Sequence, residues 1–408
     1  MTTRSVRSSQ PKPRSTTKSL DDNVADVIPL AMKLMKIPGQ SGQEGRVSKF
    51  ICAKLRRAGA PEQTIRSDDA HRRTPIQGET GNLVFKLPGT KRGPRRLLMA
   101  HLDTVPICVG SIPVLRGPLI VSANPNSGLG ADDRAGTAVV LWTALKLLRN
   151  NLPHPPLTFL WSVQEETGIH GVRHIQRSLL GRPRMGFNWD GGAPDKLTIG
   201  ATGGYRIKIN IHGLASHAGG APEQGISAIT IAGRAIAELD RTGWLGLIQE
   251  KNRMGTSNIG AVRGGHATNV ITDHVVLRAE ARSHHPPFRK RIVKKIEQAF
   301  RKAARTTTSA DGKSGHVTFD GSLDYESFHL DEKEPALLEA ENAVQAVGKT
   351  PVRTITNGGV DANWMVQHGI PTVSLGAGQR NQHTLDEALD TDELQTACRI
   401  ALRLALYQ

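Results

Sequence analysis

The 408-residue sequence predicts an α/β fold, a mostly parallel sheet interrupted by an inserted α+β unit. Three observations carry this. "LTFLWSVQ" is a near-continuous apolar strand of the kind buried on both faces of a parallel sheet. From about Thr202 to Asp320 the strands instead alternate apolar and polar residues, as half-exposed antiparallel strands do. After Asp320 the helix–strand alternation resumes.

In order along the chain, residues 1–20 read as a disordered basic tail, acid-free and lacking the apolar core of a secretory signal. A helix is expected over Asp22–Met35 and another over Arg46–Ala58, separated by the punctuation of "KIPGQSGQEG". "GNLVFKLPG" and "RRLLMAHLD" read as strands. Arg134–Leu148 places Ala138, Leu141, Trp142, Leu145 and Leu148 on one stripe, a helix packed on the sheet. The inserted unit, 202–320, holds strands "YRIKINIHG", "TSNIGAV", "HVVLRAEARS" and "GHVTFDGSL", with helices near Ile226–Leu239 and Pro287–Ala304. The flanking unit, 21–201 with 321–408, closes with helix Glu334–Val347, strand "VRTIT", helix Val360–His368, strand "IPTVSLG" and helix Asp392–Leu406.

The net charge of +16 is unevenly placed. Five of the positive charges lie in the first twenty residues, and a second cluster, "RSHHPPFRKRIVKKIEQAFRKAAR", spans Arg282–Arg305. Phe288, Ile292, Ile296 and Phe300 recur there at helical spacing, so the charge reads as the solvated face of an amphipathic helix. No nucleic-acid-binding motif accompanies it, so no nucleic-acid partner is expected. No run of about 18 apolar residues predicts a membrane span. Three widely spaced cysteines, Cys52, Cys108 and Cys398, fit a reducing cytoplasm better than a disulfide framework.

Chemistry collects at strand ends. His101 and Asp103 close "RRLLMAHLD", and residues two apart on a strand share a face. Asp132 and Asp133 stand between a glycine-rich loop and a helix start in "GLGADDRAG", where they also read as a helix cap. Glu165 and Glu166 end the apolar strand in "LWSVQEETG", and adjacent carboxylates there call for a nearby cation. Asp190 precedes two glycines in "FNWDGG", and His383 follows "TVSLG" in "GQRNQHTLDE". In an open α/β sheet ligands gather at the carboxyl ends of the strands, where these residues should converge. Two imidazoles with several carboxylates make a hard site suited to two Zn2+ or comparable divalent ions.

The set "HLDTVP", "GADDRAG", "QEETG", "WDGG" and "QHTLDE", in this order and spacing, resembles the co-catalytic zinc peptidases that include peptidase T, the aminoacylases and glutamate carboxypeptidase. The motifs run from His101 to Glu387. The resemblance implies a zinc-peptidase catalytic domain with an inserted lid, to which "GLASHAGGAPEQGISAI" and "GGHATNVITDHVVLRAEARS" are similar. It implies that His101 and Asp190 hold one zinc, Glu166 and His383 the other, and Asp132 bridges them. Co2+ or Mn2+ are alternative ions. Asp133 is then a supporting residue or helix cap, Asp103 orients His101, and Glu165 is the general base. His217 would reach the scissile carbonyl, in several relatives from the partner of a lid-mediated homodimer, with Asn269 assisting.

The implied substrate is a small peptide. Asp at the position of Asp190 accompanies aminopeptidase or dipeptidase activity in the family, against Glu in acylases and carboxypeptidases. The tripeptidases carry Arg directly before a Gly-Gly where this sequence has Asn357-Gly-Gly-Val-Asp361. Arg282 or Arg353 could replace that cation, and Asn357 and Asp361 either line the pocket or belong to a helix-capping loop. The alternatives are an N-acyl-amino-acid deacylase on the same site and a non-catalytic basic binding protein.

Overall fold

The computed structural model describes residues 24–406, and the basic tail expected over residues 1–20 lies outside them. Helices α1 (Val27–Met35) and α2 (Gly45–Arg57) come first, then strands β1 (Ile65–Ser67), β2 (Leu83–Leu87) and β3 (Arg96–His101). A hairpin of β4 (Pro113–Arg116) and β5 (Leu119–Ser122) precedes helix α3 (Ala131–Asn150). Strand β6 (Leu157–Ser162), the one-turn α4 (His170–Arg173), β7 (Met185–Trp189) and β8 (Lys196–Ala201) follow.

Next come β9 (Gly203–His212), α5 (Ala228–Arg241), β10 (Gly246–Glu250) and β11 (Arg253–Gly264). After them lie β12 (His274–Ser283), α6 (Pro286–Arg305) and β13 (His316–Tyr325). The chain closes with β14 (Phe328–His329), α7 (Pro335–Gln345), β15 (Val352–Thr356), α8 (Ala362–Gln367) and β16 (Thr372–Leu375), then β17 (Gln379–Arg380), β18 (Ala388–Asp390) and α9 (Thr391–Leu406).

The main sheet has nine strands in the order β1-β2-β6-β3-β7-β16-β8-β14, with β15 beside β8. Its middle, β6-β3-β7-β16, is parallel, as is the β15–β8 pair. The flanks β1-β2-β6 and β16-β8-β14 are antiparallel, so the sheet is mixed rather than parallel throughout. Every residue of β3, β6 and β7 is buried, which is why these strands lack alternation in the sequence. A small sheet, β17-β18-β5-β4, was not anticipated, because its short strands are partly exposed and carry no clear period.

Strands β10-β11-β12-β9-β13 form a second, wholly antiparallel sheet. One face packs Ile207, Ile209, Ile211 and Leu277 against Phe288, Ile292, Ile296 and Phe300 of α6, a core separate from that of the main sheet. The last strand runs to Tyr325, past the expected limit at Asp320. The basic cluster is divided by this packing. Arg289 is buried against Glu326, Arg291 pairs with Glu250, and Lys302 lies by Glu238, while Lys290, Lys294 and Arg305 face solvent. No described helix is long and apolar enough to cross a membrane.

Candidate metal centre

The carboxyl ends of β3, β6 and β7 and the start of α3 meet at one edge of the main sheet. They carry His101, the Glu165–Glu166 pair, Asp190 and Asp132 there. His101, Asp132 and Glu166 each offer a ligand atom, and these atoms lie within 4.8 Å of one another. Asp132, Asp133 and Asp190 form a second such group, so Asp132 belongs to both. The His101 Nε2 is 3.2 Å from Asp132 Oδ1, and His383 Nε2 is 3.3 Å from Asp132 Oδ2. His383 Nε2 also approaches Glu166 Oε2 at 3.0 Å. One carboxylate thus lies between two imidazoles that come from opposite ends of the chain.

Local structure explains why Asp132 can reach both. Gly130 has φ +78°, a conformation glycine adopts without strain, and Asp132 and Asp133 depart from helical torsions at the head of α3. Asp133 turns inward. Its carboxylate accepts from the N–H of Gly136 (3.0 Å) and of His101 (3.1 Å) and from Gln379 Nε2 (2.8 Å), a helix cap that also holds β3. A side chain at Gly136 would run into the Trp189 carbonyl, so the last glycine of "GADDRAG" lets α3 sit directly on β7.

Asp103 is fully buried and does more than face His101. His101 Nδ1 is 3.1 Å from the Asp103 backbone carbonyl and 3.4 Å from its carboxylate. That carboxylate accepts the N–H groups of Glu165 (3.0 Å) and Glu166 (3.1 Å) and the Ser41 hydroxyl (2.6 Å). The expectation that Asp103 orients His101 is therefore adjusted, since the closer contact is made by the main-chain oxygen.

The electrostatics are those of crowded acids. Burial raises Glu165 well above the usual carboxylate range, helped by Asp190, Asp361 and Glu166 against the opposing charge of His101. Burial and the Asp132 charge push Asp190 up to about 8. Burial also raises Glu166, although its hydrogen bond to His383 opposes this. Asp132 goes the other way, because the two imidazoles outweigh its burial and hold its pKa well down. His383 is raised to about 10 by hydrogen bonds to Asp132 and Glu166. Burial disfavours charge on His101, yet the Asp103 and Asp132 carboxylates raise it. Such a cluster calls for positive charge, from protons or from cations.

Three supporting residues were not singled out from the sequence. Glu387, inside "QHTLDE", accepts the N–H groups of Gly130 (2.5 Å) and Asp132 (3.0 Å), and Cys108 Sγ lies 3.4 Å away. Gln379 ties Asp133 to the Ala131 carbonyl. Glu44, raised to about 7 by burial and then by the Asp103 charge, accepts from the Gly42 and Gln164 N–H groups. Of these only Glu387 left a sequence signal, its place in the motif that carries His383.

The expected substrate residues are dispersed. Asp361 stands at the N-cap position of α8, but its buried carboxylate, raised by burial to about 6, accepts the Ser162 hydroxyl at the end of β6 and makes no capping hydrogen bond. Asn357 Oδ1 is 2.9 Å from Nε2 of His284, which lies just past β12. Arg282 makes a bidentate pair with Glu280, and Arg353 does so with Glu341 on α7, so each already has a carboxylate partner within the chain. Gly359 lies under the Tyr325 ring, where a Cβ would collide. His217 is exposed, and its Nδ1 accepts from the Gly219 and Gly220 N–H groups at 3.1 and 2.9 Å. It pairs with Val270 in an isolated bridge, beside Asn269, whose carbonyl accepts the Ala218 N–H. Among the described residues no hydrogen bond or ion pair joins His217 or Asn269 to the acidic cluster.

Residues 97–407 match the family model for peptidase family M20/M25/M40. The chain belongs to this family. Protein YqjE of Bacillus subtilis is 32% identical over 366 residues, which is 89% of this chain and 93% of that one. A tripeptidase of Staphylococcus aureus superposes with a TM-score of 0.84 at 28% identity, covering 94% and 98% of the two chains. Aminopeptidase PepT of Bacillus cereus does so with a TM-score of 0.80 at 31% identity and the same coverage. Membership makes this M20 chain a metal-dependent hydrolase of the peptidase and amidohydrolase class.

Proposed function

We propose that this M20 chain is a di-zinc aminopeptidase acting on small peptides, of tripeptidase or dipeptidase type, in the cytoplasm. The observation that carries the reading is Asp132 lying between the His101 and His383 imidazoles, with Glu166 beside His383 and the buried Glu165 next to it. The donor set fits two divalent ions, since two imidazoles and three carboxylates suit zinc and the crowded acids lack cationic balance without it. His101 and Asp190 would hold one ion, Glu166 and His383 the other, with Asp132 shared; Co2+ and Mn2+ fit the same donors. When bound, the ions acidify water and polarise the scissile carbonyl.

The chain supplies the rest. Glu165 takes the proton of the attacking water and delivers it to the leaving amine, the work of a carboxylate whose proton affinity burial has raised. Asp103 fixes the backbone of Glu165 and Glu166, so that neighbouring residues serve different roles. His217 accepts at Nδ1, which leaves its proton on Nε2, a donor for the substrate carbonyl. Asn269 would assist it, with the segment contributed across a lid-mediated homodimer. Arg282, Asn357 and Asp361 are the candidates for substrate contact. Similarity to the tripeptidase and to PepT, and Asp rather than Glu at position 190, support a free amino terminus on the substrate.

The test is hydrolysis by zinc-loaded enzyme of di- and tripeptides against N-acetyl and N-succinyl amino acids. Chelator-sensitive release of the amino-terminal residue is expected. Cleavage of N-acyl amino acids alone would replace this reading with a deacylase, and a metal-free, inactive chain that binds polyanions would replace it with a binding protein.

A further inference from the structure

On the second sheet the middle strand β9 ends in His212, whose directly opposite partners are His274 on β12 and His316 on β13. Their neighbours Ile211, Val275 and Val317 point into the core, so the three imidazoles stand in one row on the exposed face. The His212 and His274 rings are stacked with centroids 5.0 Å apart and planes 28° apart, and His316 stacks on the other side at 6.2 Å and 27°. Among the described residues no carboxylate or carbonyl takes any of their ring nitrogens. Nine residue steps of extended strand β9 carry His212 about 30 Å from Gly203, where the strand leaves the main sheet, so the row is remote from the acidic cluster.

We propose that this row is a second metal site, a surface chelate for a borderline divalent transition ion such as Zn2+, Ni2+ or Cu2+, centred on His212 and His274. Neutral imidazole is the preferred ligand of these ions, and Cu2+ binds tightest. Two nitrogens on one ion, each at about 2.0–2.1 Å, lie roughly 3–4 Å apart. Directly opposed cross-strand residues hold their Cβ atoms about 4.5–5.5 Å apart, so rotation of the two rings brings the nitrogens onto one ion without backbone movement. His316 lies on the far side of His212 from His274. It therefore shares His212 in a second, looser pair, and water completes the coordination. The ion staples adjacent strands of the sheet and takes no part in hydrolysis.

Titration of NiCl2 into the dialysed metal-loaded enzyme by calorimetry tests this. Wild type should bind one equivalent more than His212→Asn, and His274→Asn should weaken that equivalent at least tenfold. His316→Asn should weaken it less. Nickel should also raise the apparent Tm of wild type and leave that of His212→Asn unmoved, since an ion bound only by the native state stabilises it. Because the side chains are exposed, the variants should match wild type in Tm without nickel. Should His212→Asn become unstable, His274→Asn with His316→Asn reads the same loss. Coincident isotherms for wild type and the variants would overturn the proposal and leave the row as stacked imidazoles only.

Discussion

The Asp103 carboxylate grips the main chain of Glu166, 3.1 Å from its N–H, and with its other oxygen does the same for Glu165 at 3.0 Å. This contact converts "QEETG" from a strand end carrying two mutually repelling acids into a fixed turn. In a regular strand neighbouring side chains point to opposite faces. With both amides pinned to one carboxylate, Glu165 and Glu166 leave the strand from a defined turn. Removing the carboxylate in Asp103→Ala should lower kcat/KM about 10- to 100-fold, the usual loss when a residue that supports metal ligands is removed. Because Ser41 and both amides bond to its oxygens, Asp103→Asn should be milder than Asp103→Ala in steady-state kinetics.

Glu165→Gln separates ligand from base. Gln keeps the shape of the side chain and loses the proton acceptor, so kcat should fall about 100- to 10,000-fold. Elemental analysis of the same variant should still find the full metal content. Loss of metal along with activity would move Glu165 into the ligand set and undo the division of roles within the pair.

Glu387 contacts the backbone at Asp132, and a positioning role acting through Asp132 makes a testable prediction. It accepts the Asp132 N–H across 255 residues of chain and the Gly130 N–H beside it. Glu387→Ala leaves two buried N–H groups unpaired, at a cost of about 1–3 kcal/mol each, read as a fall in urea midpoint. Metal affinity should also weaken, by about 10- to 100-fold. Glu387→Gln, which retains one acceptor, should recover part of both. A variant that lost stability but kept wild-type metal affinity would make Glu387 purely structural.

What could be read in the sequence follows from which forces leave a local mark. The strand "LTFLWS" was legible because burial on both faces forces an unbroken apolar run, and the second sheet because burial on one face forces alternation. The β4–β5 hairpin was not, since its half-exposed residues answer to neither rule. Within the site, His101, Asp132, Glu166, Asp190 and His383 stood out as acids and imidazoles at strand ends, in an order that carried the resemblance. Glu44 and Gln379 bond to main-chain groups far away in sequence, and nothing local distinguishes them from solvated residues, whereas Glu387 left only its place in the motif that carries His383. Arg353 shows the reverse limit, a free cation by sequence that Glu341 occupies in the fold.

Stripping the metal should make stability strongly pH-dependent, and the sign follows from the shifts. Asp190, raised to about 8, and Glu165 and Glu166, also raised, bind protons in the folded chain that the unfolded chain releases near pH 4. His383, raised to about 10, and His101 likewise hold protons that the unfolded chain releases near pH 6.5. For every one of these groups the folded state binds more protons between its two pKa values. Stability of the stripped chain therefore falls as pH rises from about 4 to about 10. Asp132, shifted down, opposes this only below the ordinary carboxylate range. Bound cations take the place of those protons, and their affinity grows as the ligands deprotonate. The Tm difference between metal-loaded and chelator-stripped protein should thus widen steadily from pH 5 to pH 8 in scanning calorimetry. A constant difference would mean that the acidic cluster is not what the ions neutralise.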